Sequence, residues 1–217
     1  MNNLKKKHKR KQPWLDEHVN DVYVKKARKE GYRSRAVYKL QELIERERLL
    51  RPGMIVVDLG AAPGGWSQMA AKCVGEKGRI YALDILPMEP IDGVEFIQGD
   101  FQEQHVLDKM LELMNGKKAD LVISDMSPNI TGMSVIDQPK SMYLAELALD
   151  FTRQVVVAGG SLVVKVFQGA GFDEYIRELR RSFDKIAIRK PKASRSRSRE
   201  CYVVARNYQS YQNHIVT

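Results

Sequence analysis

The sequence predicts one α/β domain on a doubly wound, mostly parallel sheet of seven strands, and three observations carry that expectation. The chain has 217 residues, 43% hydrophobic and 29% charged, enough to bury a full core in one unit. Short apolar runs alternate with segments of helical periodicity, as in parallel sheets covered on both faces. The first core strand also runs into a glycine-rich turn at the head of a helix, which is where doubly wound folds hold ligands.

From Ser34, SRAVYKLQELIERERLL places apolar residues at 37, 40, 43, 44 and 50. That spacing predicts an amphipathic helix with Ser34 as its cap, broken by Pro52-Gly53. Strand MIVVDL follows, then a helix around SQMAAKCV, strands RIYALDI and VEFIQGD, and helix HVLDKMLELM. Next come strand ADLVISDM, helix KSMYLAELALDFTRQVVV, strand SLVVKVF and helix DEYIRELRRSF. The last two strands, near KIAIRK and CYVVARNY, have no helix between them, so an antiparallel pair with an antiparallel edge strand is expected. The expected division is a basic N-terminal extension at 1–30, the α/β domain at 31–209 and a tail at 210–217.

The formal charge of +9 is unevenly distributed. Residues 1–35 carry +8, residues 185–199 carry +7, and the remainder is acidic at −6. Clustered Lys and Arg release counterions from a phosphate backbone, so two basic segments on an acidic body point to a nucleic-acid partner. KASRSRSRE leads directly into CYVVA, so Arg195, Arg197 and Arg199 should project from a folded edge. The longest nearly apolar stretch, 155–164, is about half of what spans a bilayer. The basic first residues lead into no apolar signal segment, and Cys73 and Cys201 form no CxxC, so a reduced, cytoplasmic setting is expected. His8, His18, His105 and His214 are scattered, so no metal site is expected. No exposed apolar helix face or heptad run asks for a second copy, which makes a monomer the expectation.

The first strand ends at Asp58 and continues into Leu59-Gly60-Ala61-Ala62-Pro63-Gly64-Gly65-Trp66. Glycines there permit a tight turn and close approach of a ligand to the backbone. The pattern is not GxGxxG, and it lacks the Lys-Ser/Thr of a triphosphate-binding loop. Asp84 closes the next strand, twenty residues beyond Gly64, where a carboxylate can accept both hydroxyls of an adenosine ribose. Asp100 closes the third and could meet an adenine amino group. Three strand-end carboxylates suit a sulfonium cofactor better than a pyrophosphate.

Asp58 to Trp66 resembles the S-adenosylmethionine loop of FtsJ-type ribose 2′-O-methyltransferases. The resemblance continues through Ser124-Asp125-Met126-Ser127-Pro128-Asn129, Val163-Val164-Lys165-Val166-Phe167 and Ser198-Arg199-Glu200-Cys201-Tyr202, and covers residues 30–208. The whole chain is similar to the bacterial branch of that family that methylates a uridine ribose in large-subunit (23S) ribosomal RNA. The resemblance implies a Rossmann-like methyltransferase domain and S-adenosylmethionine as methyl donor with S-adenosylhomocysteine as product; no metal is expected, since the sequence offers no His/carboxylate cluster to bind one. It assigns cofactor contacts to the Asp58 and Gly60 loop, Gly64, Trp66, Asp84, Asp100 and Asp125. It assigns a catalytic tetrad to Lys39, Asp125, Lys165 and Glu200.

Lys165 lies inside an apolar strand run, an odd place for an amine unless it reaches the ligand crevice. A positioned base helps a ribose hydroxyl attack a sulfonium methyl carbon, and Lys165 is the expected proton acceptor, oriented by Asp125. The competing role is a charged ammonium that stabilises developing alkoxide. Lys39, by pattern alone, sits on the polar side of its helix, where a solvated lysine is the ordinary reading. Arg33 and Arg35 precede that helix and are expected, with Arg195, Arg197 and Arg199, to border one RNA groove. Three rival readings are a transfer-RNA methyltransferase, a small-molecule methyltransferase and a non-catalytic RNA-binding assembly factor.

Overall fold

The computed structural model describes residues 21–210. The basic run at 1–12, His8, His18, His214 and most of the expected tail lie outside the described residues. In chain order the elements are α1 (Val22–Lys29), α2 (Val37–Glu47), β1 (Ile55–Leu59), α3 (Gly65–Val74), β2 (Arg79–Asp84), β3 (Val94–Gln98) and α4 (Gln104–Met114). They continue with β4 (Ala119–Ser124), α5 (Ser134–Val155), β5 (Val156–Phe167), α6 (Phe172–Ser182), β6 (Phe183–Arg189) and β7 (Glu200–Tyr208).

The strands form one seven-stranded sheet in the order β3-β2-β1-β4-β5-β7-β6. Neighbours from β3 to β5 pair in parallel, whereas β7 runs antiparallel to both β5 and β6. The expected antiparallel pair is thus at one edge, with the reversed strand β7 next to the edge strand β6. A parallel pair needs a crossover; helices supply those from β1 to β2, β3 to β4 and β4 to β5, the 85–93 connection joins β2 to β3 without one, and the β6–β7 connection at 190–199 is free of that demand.

Alternation along the strands sorts their side chains onto two apolar layers. Val57, Leu59, Val122, Val164, Val166 and Val203 pack against α4, α5 and α6. Val56, Leu121, Ile123, Val163, Tyr202 and Val204 pack against α2 and α3. Each fully buried aliphatic side chain contributes about 1.5–3 kcal/mol. The same alternation carries Lys165, between Val164 and Val166, to the α2–α3 side, and this is what positions the site.

Three local expectations are corrected. Ser34 does not cap α2, which starts at Val37 after an Ala36 that makes no side-chain cap bond. Its hydroxyl instead packs against the head of α3, so closely that a Cβ on Gly65 would lie 2.5 Å from Ser34 Oγ. The fifth helix begins at Ser134, before Pro139, because Asp137 accepts from the Thr131 N–H, the Thr131 hydroxyl and the Gly132 N–H and closes its first turn. At its other end Val156 and Val157 belong to β5, as β-branched residues suit a strand.

A short helix also lies within the stretch expected as extension. Asp21 caps α1 by accepting from Tyr23 N (2.8 Å) and Val24 N (3.4 Å), and Val24 and Ala27 are buried. The Tyr38 hydroxyl of α2 donates to Glu30 at the end of α1 (2.8 Å).

Glu47 fastens the other end of α2 to the sheet. Its carboxylate accepts from Arg189 Nε of β6 (2.5 Å) and Arg206 Nη2 of β7 (2.6 Å), and it is itself buried. Removing one member of such a cluster leaves the others unpaired. Both arginines are partly exposed, so Glu47→Ala should lower unfolding free energy by about 2 kcal/mol, less than for a fully buried pair. Urea unfolding checks this, and an unchanged midpoint would contradict it.

Candidate active site

In open α/β sheets the crevice lies outside the carboxyl ends of the strands, where strand order reverses. Here that point falls between β1 and β4. A cleft of about 640 Å³ opens there, lined by Gly60 and Ala62 after β1, Asp84 to Leu86 after β2, Asp100 to Gln102 after β3 and Asp125 to Asn129 after β4. Lys140, Tyr143 and Leu144 of α5 close one side. The volume is within the usual range for small-molecule pockets.

The turn after β1 needs its glycines. Gly60 has φ +76°, and a Cβ there would meet Met126 Cγ at 2.7 Å. Gly64 has φ +108°, and a Cβ would meet Ile91 Cδ1 at 2.6 Å. Gly60 and Ala61 donate to the Leu83 carbonyl (2.8 and 3.1 Å), binding the turn to the end of β2. Asp84 is oriented by two main-chain donors, Ala62 N on Oδ2 (2.9 Å) and Leu86 N on Oδ1 (2.8 Å). Both bonds to Asp100, from Gln102 N (2.9 Å) and Gln102 Nε2 (3.3 Å), fall on Oδ1. Gly64 is the N-cap of α3 and provides no side-chain cap, so the first-turn N–H groups are suited to an anionic ligand group.

Beside this cleft two ion pairs share one tyrosine. Lys165 and Tyr202 are directly opposite each other across β5 and β7, so their side chains leave the same face. Both reach Asp125: Lys165 Nζ donates to its carbonyl (2.6 Å) and lies 3.2 Å from Oδ1, and the Tyr202 hydroxyl donates to Oδ1 (2.6 Å). Lys165 is only 8% exposed. From α2, Lys39 Nζ meets Glu200 Oε1 at 2.8 Å and sits 5.6 Å from the centroid of the Tyr202 ring. All four tetrad residues therefore come together, including Lys39, which pattern alone placed in solvent. Burial works to raise the Asp125 pKa, but the ammonium groups of Lys165 and Lys39 and the Tyr202 hydroxyl outweigh it and hold the carboxylate below its ordinary value. Burial first, then the charges of Asp125 and Glu200, pushes the Tyr202 phenol well up, so it remains a donor.

Other expected residues are placed differently. Asp58 does not line the cleft: it is fully buried behind the turn, accepting from Ser67 Oγ of α3 at 2.6 Å through Oδ2. Trp66 points into the α2–α3 layer, where its indole donates to the Ala36 carbonyl (2.8 Å) and packs 5.6 Å from the Tyr202 ring. The Arg33 guanidinium is engaged by the carbonyls of Pro63, Glu89 and Pro90. Arg35 bridges Asp21 to the Ala193 carbonyl, which brings the start of α2 against the 190–199 connection. Arg195, Arg197 and Arg199 are exposed on that connection, just before Glu200.

Tyr202 is the residue that sequence reasoning left without a role. Its signal was a polar-tipped aromatic two positions after Glu200, on the same face of an otherwise apolar strand. Lys140 and Tyr143 gave no comparable signal, because their helix periodicity reads as a solvated face. Among the described residues no cluster of His, Cys, Asp or Glu could hold a metal, and no helix is long and apolar enough to cross a membrane.

The buried Asp58 carboxyl carries a stability prediction. Burial, opposed by the Ser67 hydroxyl and reinforced by the charges of Asp125 and Asp84, raises its pKa to about 7. The native state thus keeps this proton to higher pH than the unfolded chain does. Its stabilising contribution is full below about 4 and disappears as pH rises toward 7. Asp58→Asn, which keeps the shape and an acceptor for Ser67, should gain stability relative to wild type by a few kcal/mol, on the order of its pKa displacement, between those limits. Paired denaturation curves from pH 4 to 8 check this, and a difference that does not change with pH would refute it.

Known proteins match the chain over nearly its whole described length. The FtsJ-like methyltransferase family model matches residues 32–208. A Marinobacter nauticus protein named ribosomal RNA large subunit methyltransferase E is 60% identical over 195 residues, covering 90% of this chain and 94% of its own. A Stutzerimonas stutzeri protein of the same name is 57% identical over 203 residues, covering 94% of this chain and 98% of its own. A solved Plasmodium falciparum structure, titled as a ribosomal RNA methyltransferase, superposes with a TM-score of 0.75 at 31% identity, over 82% of this chain and 100% of that one. With this match and the cleft at the β1–β4 switch point, the chain belongs to the FtsJ-like methyltransferase family.

Proposed function

We propose that this protein transfers a methyl group from S-adenosylmethionine to the 2′-hydroxyl of a uridine ribose in 23S ribosomal RNA of the large subunit, acting as a monomer in the bacterial cytoplasm. The observation that carries the reading is the Lys165–Asp125 pair, linked through Tyr202 to Lys39 and Glu200 beside the cleft. The names of the 57–60% identical relatives support the RNA class.

The cleft residues fit the methyl donor. Asp84 and Asp100 supply carboxylates for ribose hydroxyls and an adenine amino group, and Ile85 and Leu86 an apolar wall. Acidic residues at 84, 100 and 125 favour a cationic ligand. When bound, S-adenosylmethionine supplies an electrophilic methyl carbon.

The protein's own part is to hold and deprotonate the hydroxyl. Two positions of the Lys165 nitrogen face Asp125, and in the unprotonated amine that acts as base the third position holds the lone pair for the 2′-hydroxyl proton. Lys165 takes the proton as the oxygen attacks, Asp125 fixes the amine and Tyr202 fixes Asp125. The Lys39–Glu200 pair positions the ribose from the other side. Arg195, Arg197 and Arg199 hold the RNA backbone beside Glu200, and residues 1–20 add further basic groups.

The direct test is transfer of labelled methyl to large ribosomal subunits, protein-free ribosomal RNA and transfer RNA from unmethylated cells. Label recovered as a 2′-O-methyluridine from 23S RNA is expected. Label only in transfer RNA would overturn the substrate, and binding without label anywhere would leave an assembly role. Reversing Arg195 and Arg199 to Glu should raise the KM for RNA about tenfold or more at moderate salt, with unchanged cofactor affinity. An unaltered KM would remove both arginines from the RNA groove.

A further inference from the structure

Arg33 stands at a junction of three main-chain carbonyls. Its guanidinium donates through Nη1 to Glu89 O (2.6 Å) and Pro63 O (3.3 Å) and through Nη2 to Pro90 O (2.7 Å). Its main-chain N–H donates to Gln68 Oε1 of α3 at 2.9 Å. Pro63 belongs to the glycine turn, whereas Glu89 and Pro90 belong to the connection that starts with Ile85 and Leu86 on the cleft wall. The Arg33 side chain therefore joins the glycine turn to the connection, and its main chain ties both to the first turn of α3.

The packing around Gly64 shows how tightly the junction closes. A Cβ there would lie 2.6 Å from Ile91 Cδ1, 2.9 Å from Met88 Sδ and 3.1 Å from Arg33 Nη1. Three carbonyl oxygens converging on one group need a donor with a wide fork. A planar guanidinium supplies it, while a lysine ammonium is a compact point charge on a flexible stem.

We propose that Arg33 is a positioning residue for the cofactor: its guanidinium clamps the 60–64 turn against the 85–93 connection and so sets the width of the cofactor cleft. This rests on the reading of that cleft as the S-adenosylmethionine site. Arg33 acts through the turn and the connection, and its charge is directed inward at carbonyls rather than outward at phosphates.

The test uses the full chain with S-adenosylhomocysteine as probe, comparing wild type, Arg33→Ala and Arg33→Lys by calorimetry, steady-state kinetics and RNA binding over a salt series. Arg33→Ala should weaken S-adenosylhomocysteine about tenfold and raise the KM for S-adenosylmethionine similarly, with kcat within about twofold of wild type. Arg33→Lys should recover only part of the loss, and RNA affinity and its salt slope should not change. If the alanine variant does not fold, the lysine variant reads the same quantities. Unchanged S-adenosylhomocysteine affinity in a folded variant would overturn the proposal. So would weaker RNA binding with a salt slope reduced by about one and cofactor affinity intact, the mark of a phosphate contact. Wild-type protein that bound no S-adenosylhomocysteine would instead defeat the reading of the cleft, and the proposal with it.

Discussion

A lysine can occupy the inner side of a strand only if its charge is met there, and the Lys165–Asp125 pair supplies that condition. Leaving either charge unpaired in such surroundings costs about 3–5 kcal/mol. The pair therefore constrains the structure around it. It requires β5 and β7 to pair in the register that sets Tyr202 opposite Lys165, and it requires β4 to end where Asp125 can accept from both. Reversal of β7 completes the arrangement, because it brings the start of that strand, with Glu200, to the same end of the sheet as the carboxyl ends of β4 and β5.

Charge is divided across this end of the molecule. The cleft side carries Asp84, Asp100 and Asp125, and the neighbouring 190–199 connection carries exposed arginines. Under the proposed function, a cationic cofactor and a polyanionic substrate would meet surfaces of opposite sign within one site, with the ion pairs beside the cleft. Short-range links hold the two sides together. The segment from Arg33 to Lys39 touches the glycine turn, the arginine-bearing connection and Glu200 within seven residues.

Much of this was legible in the sequence because the signals are local. Strands such as IVVDL and LVVKV announce themselves by β-branched runs, and the glycine turn by its position between strand and helix. The lysine within LVVKV was legible for the same reason: it breaks an apolar pattern. Roles that depend on which way a side chain turns were not legible. Trp66 and Asp58 adjoin the turn in sequence, yet alternation and helix phase direct both inward, to Tyr202 and Ser67. Arg33 and Arg35 read as RNA contacts from charge alone, and only the folded chain brings carbonyls of Pro63, Glu89, Pro90 and Ala193 to them. Lys39 shows the reverse case, since nothing in its helix discloses Glu200 some 160 residues away.

The most direct test of the account is the single-turnover rate of methyl transfer by Lys165→Met, with cofactor and large-subunit RNA binding measured on the same protein. Methionine keeps the length and removes the amine. If Lys165 is the proton acceptor, the rate should fall by about 10²–10⁴, the usual contribution of a positioned base, while both ligands still bind. A rate within a few-fold of wild type would contradict the mechanism and move the chemistry away from this lysine.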